Sequence, residues 1–137
     1  MFDLSKVSTW SVLVVDDEPD NVEVVAEGLG FFGASVKTAK DGEVGLEIMR
    51  GFLPNIILLD LSMPKMNGWE MRTRVKEDAK NQHIIIIALS AHAMLGDRDR
   101  ALAAGFDGYM TKPINVATFA DDIQKSVQRT FLPNGNK

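Results

Sequence analysis

Ile84-Ile85-Ile86-Ile87-Ala88-Leu89 is an unbroken apolar run of six residues, the longest in the chain. A stretch this short, rich in β-branched side chains, fits a strand covered on both faces, as strands of a parallel sheet are. It falls far below the roughly 20 residues that cross a bilayer. Val12 to Val15 and Ile56 to Leu59 have the same character, and Ala34 to Ala39 and Tyr109-Met110 are weaker versions of it.

An amphipathic stretch follows each run. Val22, Val25, Ala26 and Leu29 keep helical spacing, with Pro19 suited to the first turn and Gly30 and Gly33 to the stop. Asp41 is placed to cap a helix running through Arg50, which Pro54 then blocks. Gly68, Met71 and Val75 mark a third helix and Met94 to Ala104 a fourth. Val116, Phe119, Ala120, Ile123 and Val127 form the stripe of a fifth, and Phe131 to Lys137 read as a frayed tail. Strand and helix alternating in this way imply right-handed crossovers and an α/β fold, a doubly wound five-stranded parallel sheet. Sites in such sheets lie outside the carboxyl ends of the strands, where strand order reverses.

The chain of 137 residues is one domain in size, able to bury about two thirds of its surface without a disulfide or structural metal. With 45% hydrophobic and 25% charged residues, a disordered, collagenous or membrane-embedded chain is excluded. The absence of cysteine removes disulfides, thiolate metal sites and cysteine nucleophiles. A net charge of −4 argues against direct nucleic-acid binding, which needs a basic face. Met1 to Trp10 has no long apolar core and mixes acid with base, so no signal peptide, no membrane insertion and a cytoplasmic location are expected.

Four of the five strands end on a polar or charged residue. Asp16 and Asp17 follow the first, Asp60 closes the third, Ser90 closes the fourth and Lys112 follows the fifth. Strand-end acids can be helix caps, and Asp17, just before Glu18-Pro19, is placed to be one. Caps do not explain a lysine and a hydroxyl at the same edge. Three crowded carboxylates raise one another's pKa. A hard divalent cation with all-oxygen ligation, Mg2+, removes that penalty. The cation and Lys112 would then neutralise an incoming phosphoryl group, and one carboxylate could serve as nucleophile and become an acyl phosphate.

The chain resembles a response-regulator receiver domain, stand-alone or of a hybrid histidine kinase. The resemblance rests on Val14-Val15-Asp16-Asp17-Glu18, Leu58 to Gly68 (LLDLSMPKMNG), Ala88-Leu89-Ser90-Ala91 and Tyr109-Met110-Thr111-Lys112-Pro113-Ile114. These stand at spacings of 43, 30 and 22 residues (17 to 60, 60 to 90, 90 to 112), and the resemblance covers about Ser11 to Arg129. It implies a flavodoxin-like fold with strand order 2-1-3-4-5, a receiver domain over 11–130, an N-terminal extension over 1–10 and a tail over 131–137.

The resemblance also implies roles. Asp60 would accept the phosphoryl group. Asp17, Asp16 (directly or through water), Asp60 and the backbone carbonyl of Ser62 would hold Mg2+. Lys112 would pair with the phosphoryl oxygens, and the Lys112–Pro113 peptide would be cis. Ser90 and Tyr109 would form the switch, Ser90 bonding the phosphoryl group and Tyr109 swinging inward. Ser62 and His92, each two residues beyond a site residue, would flank the approach of water and tune the lifetime. A histidine kinase or histidine phosphotransfer protein would be the donor. A downstream protein would dock on the face of the fourth helix, fifth strand and fifth helix. With only a short tail beyond the last helix, output is expected to be protein–protein contact or onward phosphotransfer.

His83 precedes a buried strand and is expected in an exposed loop. Met63, Met66 and Trp69 read as packing residues, and Asp97-Arg98-Asp99-Arg100 as a solvated helix face. Three other functions compete. A haloacid dehalogenase-like phosphatase needs Asp-x-Asp after the first strand, where this chain has Asp16-Asp17-Glu18. A flavin or dinucleotide binder needs a glycine- or hydroxyl-rich phosphate loop there. A receiver-like interaction module that works unphosphorylated does not need Asp60, Lys112 and Ser90 together.

Overall fold

The strands form where the apolar runs predict them. In the computed structural model, β1 (Ser11–Val15), β2 (Ser35–Ala39), β3 (Ile56–Asp60), β4 (Ile85–Ser90) and β5 (Gly108–Thr111) alternate with α1 (Pro19–Phe31), α2 (Gly42–Ile48), α3 (Gly68–Lys76), α4 (Asp97–Ala103) and α5 (Phe119–Phe131). The structure describes residues 1–63, 66–91, 96–115 and 117–131, with side chains in α5 through residue 127. All pairings are parallel and the strand order is β2-β1-β3-β4-β5, the flavodoxin-like arrangement. The order reverses between β1 and β3, so the loops after these two strands flank the switch point.

Alternate strand residues build two cores. Leu13, Val15, Ile57, Leu59, Ile86 and Ala88 face Met71 and Val75 of α3, Ala101 of α4 and Phe106. Val12, Val14, Ile56, Leu58, Ile85, Ile87 and Leu89 face Val25 and Leu29 of α1 and Phe119, Ile123 and Val127 of α5. Both faces of β3 and β4 are covered and every residue in them is buried, which accounts for their unbroken apolar runs. Edge strand β2 is mostly exposed.

Local signals set most boundaries. Pro19 opens α1, and Asp41 caps α2 by accepting from the Val44 amide. Asn67 and Glu70 close a reciprocal capping box on α3. Some expectations need correction. Gly30 lies inside α1, and the chain reverses at Gly33, whose φ of 96° is left-handed. Helix α2 ends at Ile48, two residues short of Arg50. Helix α4 begins at Asp97, and Met94 and Leu95 lie outside the described residues. Phe131 closes α5 instead of starting a tail; Val116 and residues 132–137 lie outside the described residues.

Residues 1–10 fold back onto the domain. Trp10 is 1% exposed, its indole N–H donates to the carbonyls of Asp3 and Leu4, and Phe2, Leu4 and Val7 pack on the α1–α5 core. His83 is exposed. Trp69 meets Phe106 edge-to-face at 5.5 Å. Asp97 departs from the solvated face expected of it: it is buried and accepts a hydrogen bond from Arg100.

Candidate functional site

Sheet register delivers the polar strand ends to one edge. Asp60 pairs with Leu89 and Ser90 with Thr111 across the ladder. The ladder continues past the strands: Asp16 N–H donates to Ala39 O (3.1 Å), Leu61 N–H to Leu89 O (3.0 Å) and Lys112 N–H to Ser90 O (2.8 Å). Asp16, Asp60, Ser90 and Lys112 thus start from backbone positions fixed by pairing, and Asp17 follows Asp16 directly. The Lys112–Pro113 peptide is cis.

The carboxylates of Asp16, Asp17 and Asp60 offer oxygens that all lie within 4.8 Å of one another. Asp16 and Asp60 are buried, at 1% and 3% exposed, and Asp17 is open to solvent. Asp17 is not a helix cap, since the N-cap position of α1 is Glu18. The Lys112 amine closes the pocket, 2.9 Å from Asp16 Oδ2, 2.9 Å from Glu18 Oε1 and 3.3 Å from Asp60 Oδ2. Asp16 Oδ1 accepts the Glu18 N–H (3.0 Å) and Oδ2 the Asn21 side-chain amide (2.6 Å). Asp60 Oδ1 accepts the N–H of Ser62 (3.0 Å), itself exposed.

Burial pushes the Asp60 carboxyl up to about 6; the Ser62 amide opposes the shift, Asp16 adds to it and Lys112 opposes it. Burial works against the Lys112 ammonium, but its bonds to Glu18 and Asp16 outweigh that and hold its pKa above the ordinary lysine value. The lysine is therefore a fixed positive charge, and Asp60 is ionised at neutral pH under strain from a neighbouring carboxylate. Hard anionic oxygens gathered from three side chains, one open to solvent, fit a small divalent cation. Chemically, the arrangement can hold such an ion and present a carboxylate as nucleophile to an electrophile that an ammonium faces.

Ser90 is buried at the end of β4. Tyr109 packs on the α3–α4 core, and its buried hydroxyl has no hydrogen-bond partner among the described residues. Its backbone N–H donates to Ser126 Oγ. His92 lies outside the described residues. Two pocket residues were not singled out from the sequence. Glu18 adjoins the acid pair, and Asn21 stands one helical turn after Asp17, so its side chain returns toward the strand end; that spacing is the signal that could have found it.

The family described as the response regulator receiver domain matches residues 12–124. The chain is 32% identical over 116 residues to the polar-differentiation response regulator DivK of Brucella ovis, covering 85% of this chain and 94% of that protein. It is 30% identical over 130 residues to a probable cyclic di-GMP phosphodiesterase of Vibrio cholerae. That match covers 93% of this chain but spans only 29% of the relative's length. Among solved structures, the chemotaxis protein CheY4 of Vibrio cholerae superposes with a TM-score of 0.79 at 27% identity, covering 85% of this chain and 98% of that one.

Proposed function

We propose, because this chain belongs to the response regulator receiver family, that Asp60 is the phosphoacceptor of a two-component signalling switch. The observation that carries the reading is the pocket itself: Asp60, 3% exposed, beside Asp16 and facing the Lys112 amine at 3.3 Å. An Asp60 carboxylate oxygen forms the new bond to phosphorus as the bond from phosphorus to a donor histidine nitrogen breaks, the electron pair leaving with the imidazole. Lys112 pairs with the phosphoryl oxygens. Asp16, Asp17 and Asp60, with the Ser62 carbonyl, would hold Mg2+, which when bound neutralises charge on the transferring group.

Ser90 and Tyr109 are the switch in this reading. Holding the Tyr109 hydroxyl buried without a hydrogen-bond partner among the described residues costs about 1–3 kcal/mol, a cost that a change of rotamer can relieve. Ser62 and His92 tune the lifetime of the acyl phosphate. The downstream partner docks on the α4–β5–α5 face, where Arg98, Tyr109, Met110, Asp122 and Lys125 line a groove of about 420 Å³. A histidine kinase or histidine phosphotransfer protein donates the phosphoryl group. The protein catalyses only its own phosphorylation and dephosphorylation. It works in the cytoplasm; no helix among the described residues is long and apolar enough to cross a membrane.

The test is intact-mass measurement after incubation with acetyl phosphate. Gain of one phosphoryl group with Mg2+, none with chelator, is expected, and equal labelling without metal contradicts the reading. Repeated turnover of a generic phosphomonoester would instead favour the phosphatase alternative.

A further inference from the structure

Asp16 is already crowded with donors. Its Oδ2 accepts both the Asn21 amide and the Lys112 amine, which fills the roughly two lone-pair sites of one carboxylate oxygen. Oδ1 is taken once, by the Glu18 N–H. A cation drawn to the three aspartates therefore meets a resident ammonium on one of them, and the two positive charges compete. Lys112 has three N–H donors, aimed at Asp16, Glu18 and Asp60. Of these acids only Glu18 stands outside the cluster suited to a metal. It lies at the mouth of the pocket, with its side chain 62% exposed against 9% for Lys112.

Among the described residues, the Glu18 side chain makes no other hydrogen bond or ion pair. It occupies the N-cap position of α1, where short polar side chains are favoured, and makes no capping hydrogen bond. Its carboxylate instead reaches a lysine 94 residues away in sequence. We propose that Glu18 is a positioning residue: it takes up the Lys112 amine as a divalent cation displaces that amine from Asp16, so the lysine stays at the pocket, paired, while the metal enters. This inference rests on the metal-dependent reading above.

The test is calorimetric titration with MgCl2, without any phosphoryl donor, of the wild type, Glu18→Gln and Glu18→Asp. Aspartate keeps the charge but is one methylene shorter and loses its reach to Lys112. Both variants are expected to bind Mg2+ about two- to fivefold more weakly, the range of a partly exposed ion pair. A Glu18→Asp affinity equal to wild type, or no change in either variant, overturns the inference. Lys112→Met is expected to bind Mg2+ more tightly and to be insensitive to Glu18→Gln; equal sensitivity in that background also overturns it. If Lys112→Met fails to fold, the Glu18→Asp comparison decides alone. A wild type that takes up no Mg2+ overturns both this inference and the metal-dependent reading, whereas wild-type binding matched by both Glu18 variants overturns this inference only.

Discussion

Gly68 sits so close to Asp60 that a Cβ built on it would stand 2.5 Å from the Asp60 carbonyl oxygen and 2.9 Å from Leu61 Cα. Both are backbone atoms and cannot rotate aside. The glycine that opens α3 is therefore what lets this helix begin directly against the strand bearing the proposed phosphoacceptor.

Gly68→Ala must push α3 away from the end of β3. A loss of about 1–3 kcal/mol is expected, the usual cost of overpacking, together with slower labelling by acetyl phosphate. Urea denaturation measures the first effect, and a wild-type midpoint would contradict the steric account.

Trp10 anchors residues 1–10 to the α1–α5 core. Trp10→Ala is expected to cost about 3–5 kcal/mol, as for other buried large aromatics, and to expose the first ten residues to protease. A change below about 1 kcal/mol in denaturant titration would show that the segment is only loosely attached.

Asp60 gives stability a pH dependence of defined sign. Burial raises its carboxyl from 3.8 to about 6, so between those values the native state binds a proton that the unfolded chain has released. The native state is therefore favoured as pH falls through this window and penalised above it. With chelator present, Asp60→Asn should be more stable than wild type at about pH 7.5, by roughly 3 kcal/mol. The difference should narrow toward about pH 4. A difference in melting temperature that stays constant across this range would contradict the assignment.

How much of this was legible in the sequence follows from what each feature depends on. Strands β3 and β4 are covered on both faces, so their composition declares them. The strand-end residues Asp16, Asp17, Asp60, Ser90 and Lys112 follow once the strands are placed. Contacts made across the fold carry no such signal. The Glu18–Lys112 pair joins residues 94 apart and exists only because β1 and β5 end at the same edge. Trp10 and its neighbours lack any helical or strand period, and their packing comes from a single 3-10 turn, Val7–Thr9, and an indole bonded to backbone. Gly30 and Gly33 look alike in sequence, and only the left-handed backbone at Gly33 marks the true end of α1.

The central claim, that Asp60 receives the phosphoryl group, is tested most directly by reductive mapping. Borohydride converts an acyl phosphate on aspartate to homoserine, which peptide mass spectrometry locates. After acetyl phosphate and Mg2+, homoserine is predicted at position 60 and nowhere else, and absent from Asp60→Asn. Homoserine at position 16 or 17 in wild type, or labelling of Asp60→Asn equal to wild type, would contradict it.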